Sequence, residues 1–492
     1  MSSPSDLIGQ SDRLFEARRK VFPKAVNGTF RRLKWAIMAA TLAVYYVTPW
    51  LRWDRGPYAP DQAVLVDLAH RRFYLFSIEI WPHEFYYVTG LLVMAAIGLF
   101  LVTSVVGRAW CGYACPQTVW TDLFVHVERL IDGDRNAQIR LQNAPWTLGK
   151  LVRRVTKHAI WILIGVLTGG AWIFYFADAP SLARAVFTGQ APFAAYATIG
   201  ILTATTYVLG GLMREQVCIY MCPWPRIQGA MMDERSLAVT YKSWRGEPRS
   251  HGVKRVSLAA MAEGAAAPAV GDCIDCNACV AVCPTGIDIR NGPQIGCITC
   301  GLCIDACDGL MAKIGRPTRL IGYTTEEDMK LAAKGLPTVS PLRRLFRPRS
   351  MVYLSAWAAV GLVMLVSLGT RTHIGISVTQ DRNPLWVRLS DGAIRNTYVV
   401  KVRNMEARPR AVEVSIAGID GVIWSDHGTR DTAGKALRLT VDPDKVAKQQ
   451  VFVAANAVGP QRSNLQFNVR ALDREGGSAT DDSFFERPEA GQ

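Results

Sequence analysis

Cysteine is absent from both ends of this chain and is concentrated in its middle. None of the twelve cysteines lies before Cys111 or after Cys307. Disulfide scaffolds spread their cysteines through small secreted domains, whereas a central group at short, regular intervals is typical of metal ligands. The N-terminal segment, residues 1–34, is polar and basic for too long to begin a cleaved secretory signal. We therefore expect metal sites rather than a disulfide framework.

Several cofactor and ligand signatures are also missing. The sequence has no Cys-x-x-Cys-His for c-type haem, no Gly-x-Gly-x-x-Gly after a strand and no Walker loop. These absences argue against covalently attached haem and against a dinucleotide, flavin or ATP site. The formal net charge of +15 does not indicate a nucleic-acid partner, because the basic residues crowd beside apolar segments and no nucleic-acid-binding motif is present.

Long apolar runs, in contrast, are frequent. About 20 apolar residues are needed for a helix to cross a bilayer. Five runs reach or approach this length and predict an α-helical domain in contact with membrane lipid: Trp35–Leu51, Phe85–Val106, Ala159–Ala177, Pro192–Met213 and Met351–Leu368. The first run is the weakest candidate, because it is short and contains Pro49.

Basic residues predict the orientation of these spans. They cluster before the first, third and fifth runs, as Arg31, Arg32, Lys34, Arg153, Arg154, Lys157, Arg343, Arg344, Arg347 and Arg349. Cytoplasmic loops carry an excess of Lys and Arg, so we predict that the N-terminus and the cysteine-rich segment are inside. The region from Arg371 is then outside, which agrees with an odd number of spans. The first outer loop fits this orientation least well, because it also carries arginines.

Eight of the cysteines form two matching runs. Cys273-x-x-Cys276-x-x-Cys279-x-x-x-Cys283-Pro284 is followed by Cys297-x-x-Cys300-x-x-Cys303-x-x-x-Cys307. Bacterial two-cluster ferredoxins have this spacing, and in them the fourth cysteine of each run ligates the other cluster. We therefore predict two 4Fe–4S clusters, one held by Cys273, Cys276, Cys279 and Cys307 and one by Cys297, Cys300, Cys303 and Cys283. Asp308 replaces a frequent proline, and its carboxylate is expected to alter the field around its cluster.

The other four cysteines form a repeated motif at the ends of the second and fourth apolar runs. The two copies are Arg108-Ala-Trp-Cys-Gly-Tyr-Ala-Cys-Pro116 and Arg214-Glu-Gln-Val-Cys-Ile-Tyr-Met-Cys-Pro223. Four such thiolates could bind soft Cu(I), zinc or a further iron–sulfur centre, with Met221 as another soft ligand. The alternative is four inert thiols at helix ends. Because the same pair occurs twice, we predict one metal or redox site built from Cys111, Cys115, Cys218 and Cys222.

After the fifth run the pattern changes to short alternating segments. Six of them read as strands: Leu385–Leu389, Thr397–Val402, Val412–Ile416, Leu437–Val441, Gln450–Val453 and Leu465–Val469. Asp391-Gly392 and Asp420-Gly421 mark turns. Six or seven strands without cysteine predict an immunoglobulin-like β-sandwich with no disulfide, which we interpret as a docking module.

Together these patterns predict an α-helical membrane domain with an inserted two-cluster, ferredoxin-like domain and a C-terminal immunoglobulin-like β-sandwich. The predicted boundaries are a cytoplasmic segment at 1–34, four membrane helices in 35–213, the cluster domain at 214–350, a fifth membrane helix at 351–369 and the sandwich at 370–480.

With these motifs in place, the chain resembles the cytochrome c oxidase accessory family called CcoG, FixG or RdxA. The resemblance covers nearly the whole chain, and Trp110-Cys-Gly-Tyr-Ala-Cys-Pro116 is also similar to NapH-type membrane ferredoxins. The resemblance implies a bacterial cytoplasmic-membrane protein with a cytoplasmic ferredoxin domain and a periplasmic C-terminal domain. It further implies reduction of Cu(II) to Cu(I) during assembly of a cbb3-type oxidase, with assembly factors or copper carriers as partners.

Two other functions fit the same motifs. One is a quinol-linked electron-transfer subunit of the NapH type, and the other is a non-catalytic scaffold in which clusters only hold the fold together. Reoxidation of reduced clusters by copper would separate copper reduction from the scaffold function. Reduction of the clusters by quinol would favour the NapH-like function. The sequence does not identify the electron donor.

Overall fold

A computed structural model gives the fold of residues 20–57, 59–250, 271–337, 346–406, 408–428, 430–474 and 476–488. The chain forms two compact units, Met1–Leu51 with Val64–Gly361 and Arg52–Ala63 with Leu362–Gln492. Parts of the predicted segments 1–34 and 214–350, including the basic residues Arg343 and Arg344, lie outside the described residues.

Helices make up most of the first unit. In chain order they are α1 (Thr29–Val47), α2 (Tyr86–Val106), α3 (Ala109–Tyr113), α4 (Pro116–Asp132), α5 (Arg135–Asn143), α6 (Leu148–Ile173), α7 (Ala179–Phe187), α8 (Phe193–Thr206), α9 (Trp224–Met231), α10 (Ser243–Gly246), α11 (Ala278–Ala281), α12 (Leu302–Lys313), α13 (Glu326–Ala333) and α14 (Pro348–Thr370). Two π-helices, Tyr207–Met213 and Val217–Met221, follow α8. Short 3-10 helices are Thr48–Trp50, Pro82–Glu84, Ile289–Asn291 and Arg430–Thr432.

Four helical segments of the described chain are long and apolar enough to cross a membrane. They are Pro82–Val106, Leu148–Ile173, Phe193–Met213 and Pro348–Thr370. They overlap the second to fifth apolar runs of the sequence. Helical structure suits these apolar segments, because a bilayer offers no water to satisfy an exposed backbone.

The first predicted run, Trp35–Leu51, differs from the structure. Helix α1 begins earlier and ends at Val47, so its first turns contain Arg31, Arg32 and Lys34. These charges exclude α1 from the four membrane-length apolar helices. The Arg31 guanidinium instead binds the Asp122 carboxylate of α4 at 2.9 Å, with both side chains buried. The odd number of spans, and the topology derived from it, therefore stay predictions.

The N-terminus of α1 is attached to the cysteine-rich segment. The Asp305 carboxylate of α12 accepts hydrogen bonds from the backbone N–H groups of Phe30 and Arg31, at 3.2 and 2.8 Å. A carboxylate at this position satisfies free N–H groups and complements the helix dipole. A Cβ at Gly28 would lie 2.2 Å from Asp305 Cγ, so glycine allows the close approach.

Two small antiparallel sheets complete the first unit. One contains β1 (Val64–Asp67), β2 (Arg72–Leu75) and β3 (Ile78–Ile80), and the other contains β4 (Ala238–Tyr241) and β5 (Ile321–Thr324). The β4–β5 pair packs with α12 around an apolar core that includes three of the cysteines: Val239, Tyr241, Cys273, Cys279, Ile289, Ile304, Cys307, Met311, Leu320 and Ile321. The cysteines of this segment are thus part of its hydrophobic core.

The second unit is a β-sandwich. Its strands are β6 (Ile374–Gln380), β7 (Val387–Arg388), β8 (Ile394–Asn404), β9 (Arg410–Ala417), β10 (Gly421–Ser425), β11 (Ala436–Val441), β12 (Val446–Ala455), β13 (Arg462–Ala471) and β14 (Ser478–Glu486). One sheet has the order β10-β12-β8-β6, with β7 paired to β8, and the other has the order β11-β9-β13-β14. Inward-facing residues such as Tyr398 and Phe467, whose ring centroids are 5.0 Å apart, fill the core.

The predicted fold class is confirmed, but three strands of the sandwich were not predicted. These are β6, β10 and β14, so the described residues form nine strands here rather than six or seven. Strand β14 shows the reason, because its sequence is mostly polar and only Phe485 is fully buried. Its conformation comes from backbone pairing with β13. The sequence of β14 has no alternation of apolar and polar residues from which a strand could be predicted.

Candidate iron–sulfur and thiol sites

The first cysteine group contains Cys273, Cys276, Cys279 and Cys307. The pKa of the Cys307 thiol is raised to about 12, chiefly by burial and also by the nearby Cys279, Asp308, Cys276 and Cys273. The fourth cysteine of the second run therefore lies among the first three cysteines of the first run. The Asp308 carboxylate accepts a hydrogen bond from Arg319 N–H at 2.6 Å and adds negative charge at this group.

The second cysteine group contains Cys297, Cys300, Cys303 and Cys283. All four line one pocket, together with apolar residues such as Ile298 and the first group's Cys279. The pKa of the Cys300 thiol is raised to about 12, chiefly by burial, with contributions from the nearby Cys283 and Cys297. The structure thus brings together the crossed set of cysteines that the sequence assigned to the second cluster. Ligation of iron by either group stays a prediction.

The two cysteine runs repeat one backbone conformation. Asp275 and Asn277 flank Cys276 with φ of 50° and 56°, and Thr299 and Gly301 flank Cys300 with φ of 55° and 72°. Left-handed residues are costly except for glycine and, less so, asparagine and aspartate, so the surroundings must hold them in place. In the first run the Arg290 guanidinium does this, by binding the Asp275 carboxylate at 2.5 Å and the Asn277 side chain. The two runs therefore share the same pair of left-handed residues around their second cysteine.

The third cysteine group contains Cys111, Cys115, Cys218 and Cys222. Cys115 and Cys222 have extended backbone, and Cys115 immediately precedes Pro116 at the start of α4. The pKa of the Cys111 thiol is raised to about 12, chiefly by burial and also by the nearby Cys115, Cys218 and Cys222 thiols. Burial likewise raises the pKa of Cys218 to about 11, with contributions from Cys115 and Cys222. The two repeated motifs therefore lie within electrostatic reach of each other. Met221, the additional soft ligand considered above, is 54% exposed.

The third group is in direct contact with the second. A Cβ at Gly112 would lie 2.6 Å from the Ile298 carbonyl oxygen and 3.1 Å from Cys300 Cα, so only glycine lets the two backbones touch. The Tyr113 hydroxyl donates a hydrogen bond to the Cys300 carbonyl oxygen at 2.9 Å. Cys111 and Cys300 also belong to one buried apolar cluster. The turn that carries Cys111 is therefore packed on the loop of the second group.

Sequence reasoning assigned no role to two residues that join these groups. Arg108 donates a hydrogen bond to the Ile295 carbonyl oxygen at 2.7 Å and lies within electrostatic reach of both Cys111 and Cys297. The buried Gln228 accepts a hydrogen bond from Cys111 Sγ at 3.0 Å. Arg108 could have been noticed, because each repeated motif begins with an arginine. No local pattern indicated Gln228, which is 117 residues away from Cys111 in the sequence.

The spacing of the thiols distinguishes two kinds of metal site. Within the part of the chain that the structure describes, no three Cys, His, Asp or Glu side chains converge as they would on a single ion. Each cysteine of a 4Fe–4S cube binds its own iron, so cluster ligands need not meet at one point. The second group, with four thiols around one apolar pocket, therefore fits a cluster. A copper ion would require the third group to close around it.

Comparison with protein families extends these observations. The profile of a 4Fe–4S dicluster domain matches residues 213–326, and that of a 4Fe–4S binding domain matches residues 88–132. A profile described as an IG-like fold at the C-terminus of FixG matches residues 364–488. The first match contains all eight cysteines of the first and second groups. The first match also contains Cys218 and Cys222, and the second match contains Cys111 and Cys115. Each iron–sulfur profile therefore includes one cysteine pair of the third group.

Relatives cover almost the whole chain. The nitrogen fixation protein FixG of Rhizobium meliloti is 57% identical over 89% of this chain and 87% of its own length. The proteins RdxA and RdxB of Cereibacter sphaeroides are 54% and 52% identical, over 92% and 96% of this chain and 91% and 96% of their own lengths. A solved FixG-related protein from Vibrio parahaemolyticus covers 24% of this chain and 98% of its own, at 20% identity and a TM-score of 0.20.

Proposed function

Because the chain belongs to the FixG family and is a membrane iron–sulfur electron-transfer protein, we propose that it delivers electrons to Cu(II) and releases Cu(I). In this proposal the copper serves the assembly of a cbb3-type oxidase in the bacterial cytoplasmic membrane. One observation carries the copper step. The third cysteine group is packed against the second group through Gly112 and Tyr113.

The chain's own residues suit one-electron transfer between these groups. Most cysteines of the first and second groups lie in or against apolar cores, whereas Cys276 is exposed. When bound there, 4Fe–4S clusters supply reversible one-electron storage. The Arg108 guanidinium, within electrostatic reach of Cys111 and Cys297, stabilises negative charge at the junction of the second and third groups.

The third group supplies the chemistry that favours Cu(I). Copper is the substrate here, and one electron converts Cu(II) to Cu(I). Soft thiolates prefer Cu(I), so a site with four sulfurs lowers the free energy of the product relative to Cu(II). The thiols of Cys111 and Cys218 have raised pKa values because they are buried, and copper binding must therefore displace their protons.

The test replaces Cys115 and Cys222 together with Ser. Both 4Fe–4S clusters should remain, because their eight predicted ligands belong to the other groups. Copper binding should fall by at least about tenfold, since two of four soft ligands are lost, and Cu(II) reduction should fall with it. The measurement uses anaerobically purified protein that has been reduced with dithionite, with Cu(I) trapped by a chromogenic chelator and iron assayed in parallel.

Two outcomes would contradict this function. If the double variant binds and reduces copper like the parent protein, the third group takes no part in copper chemistry. If the variant instead loses iron while the parent holds more than eight irons per chain, the third group holds another iron–sulfur centre. Replacing Cys276, the exposed cysteine of the first group, with Ser is the matched control, which should affect iron but not copper binding.

We also propose the sidedness that the basic flanking residues predict. The first and second groups face the cytoplasm, and the sandwich lies in the periplasm as a docking module for oxidase assembly factors or copper carriers. Alkaline phosphatase is active only outside the cytoplasm, so fusion after Asp473 should be active and fusion after Asp308 inactive. The reverse pattern would invert the topology. Activity of both fusions would contradict a membrane span at Pro348–Thr370, which lies between the two fusion points.

A further inference from the structure

A buried lysine, Lys34, lies on the side of α1 that faces the protein interior. Its side chain is only 3% exposed, and Nζ is 4.0 Å from the Asp122 carboxylate of α4. Lysine is almost never buried so deeply unless its charge is paired. Asp122 already binds Arg31 at 2.9 Å, so this carboxylate alone does not balance both cations.

The first turn of α1 fixes Lys34 next to the second cysteine group. A Cβ at Gly301 would lie 2.8 Å from the ring of Phe30, so α1 is packed directly on the residue that follows Cys300. The Asp305 carboxylate caps the same turn. Residues four apart share one face of a helix, so Lys34 continues the face of Phe30 by one turn.

Lys34 lines one pocket together with residues of the second and third groups. Cys218 of the third group is in its wall, as are Ile298 and Leu302, which lie two residues on either side of Cys300. The pKa of the Cys300 thiol is raised to about 12, chiefly by burial, and the Lys34 ammonium opposes that rise. Burial also raises the pKa of Cys218, and Lys34 again opposes the rise. Lys34 is therefore within electrostatic reach of both groups.

Positive charge is in excess around this pocket, whose walls are partly apolar and partly charged. Four cationic and two acidic side chains line it: Arg31, Lys34, Arg129, Arg214, Asp122 and Glu215. Among the described residues, Nη2 of Arg31 and Nη1 of Arg214 are buried without a hydrogen-bond partner. Buried charge needs opposite charge nearby. A cluster held by four thiolates carries net negative charge, which would balance the excess.

The first group lies in a different electrostatic environment. Asp308 adds negative charge there. Arg290 is within electrostatic reach of Cys279, but it binds the carboxylates of Asp275 and Asp288 at 2.5 and 2.6 Å, so its charge is offset. Reduction adds negative charge to a cluster. A buried cation nearby therefore raises the reduction potential, and a carboxylate lowers it.

We propose that Lys34, a positioning residue for electron transfer, raises the reduction potential of the second-group cluster above that of the first-group cluster. One electron then leaves the reduced first cluster and is taken up by the oxidised second cluster, on the side where Gly112 and Tyr113 contact the third group. This step moves no proton and breaks no bond. The inference deepens the proposed function, on which it rests for clusters in both groups, and it requires no copper.

The test is an anaerobic redox titration of the full-length protein without copper, followed by EPR. Lys34→Met removes the buried charge and keeps an unbranched side chain. The equilibrium constant for passing an electron from the first to the second cluster should fall by about tenfold, because a buried charge is weakly screened. That change corresponds to about 59 mV in the potential of the second cluster. The potential of the first cluster should stay at the parent value.

Two further variants separate the buried charge from other effects. Arg32→Met removes a positive charge from an exposed position of the same helix and is the matched control. Water screens that charge, so both potentials should match the parent protein. Lys34→Arg keeps a buried charge and should retain the parent potentials. Iron content per chain verifies that each variant holds both clusters.

A measurement on the parent protein does not depend on the folding of a charge variant. With less than one electron per chain from dithionite, the EPR signal of the second cluster should appear before that of the first. Cys307→Ser and Cys283→Ser, which each delete one cluster, identify the two signals. An electron that resides on the first cluster would overturn the inference. So would parent potentials in Lys34→Met, or an equal drop in Arg32→Met. Because no copper is present, failure here is distinguishable from failure of copper reduction.

Discussion

Replacing Cys273 and Cys297 together with Ala is expected to remove most of the iron and the visible absorbance of the clusters. Each change deletes a predicted ligand from a different cysteine group, and an incomplete cube loses its iron. The measurement is iron and sulfide content per chain after anaerobic purification, together with EPR of the reduced protein. Unchanged iron content would defeat the assignment of both groups.

Single replacements of the fourth cysteines test the crossed arrangement. Cys283→Ser should remove the cluster of the second group and leave the first, although Cys283 belongs to the first run in sequence. Cys307→Ser should do the reverse, since its thiol lies among Cys273, Cys276 and Cys279. Each variant should lose about half of the iron, with a different EPR signal missing. Loss of the same signal in both variants would contradict the crossed grouping.

Replacing Gly112 with Ala should uncouple the third group from the second without removing either cluster. The new methyl carbon would lie 2.6 Å from the Ile298 carbonyl oxygen, which is backbone and has little freedom to move. Separating packed backbones costs about 1–3 kcal/mol. A shift of about 1 Å at a reacting centre can lower rates by roughly 100-fold, so copper reduction by pre-reduced protein should fall by that order.

The matched control is Gly149→Ala on α6, where an added methyl group meets no described atom within 4 Å outside its own helix and chain neighbours. That variant should reduce copper at the parent rate. Stopped-flow absorbance of dithionite-reduced protein mixed with Cu(II) measures the rate, and iron analysis verifies that clusters are retained. If Gly112→Ala reduces copper as fast as the control, electrons do not pass through this contact.

Prediction from the sequence was most successful where a local pattern reports directly on structure. The runs of uncharged residues predicted four helices of membrane length, because a lipid-facing helix must be apolar all round. The spacing Cys-x-x-Cys-x-x-Cys-x-x-x-Cys predicted the cluster segment, because short loops around a small cube constrain the spacing of its ligands. The first run was less reliable, because α1 begins before it and includes Arg31, which pairs with the distant Asp122 of α4.

The sequence by itself determined the class of the protein: apolar helices, two ferredoxin-type cysteine runs, a repeated thiol pair and a β-rich C-terminal region. Each of these depends on neighbours along the chain. Only the tertiary structure decided that the two thiol pairs lie within electrostatic reach of each other, that Gly112 packs the turn of Cys111 against Cys300, and that Arg214 is buried with an unpaired nitrogen beside a pocket with apolar and charged walls. These features depend on residues that are distant in sequence and become neighbours only when helices and loops pack. No spacing rule along the chain can therefore report them.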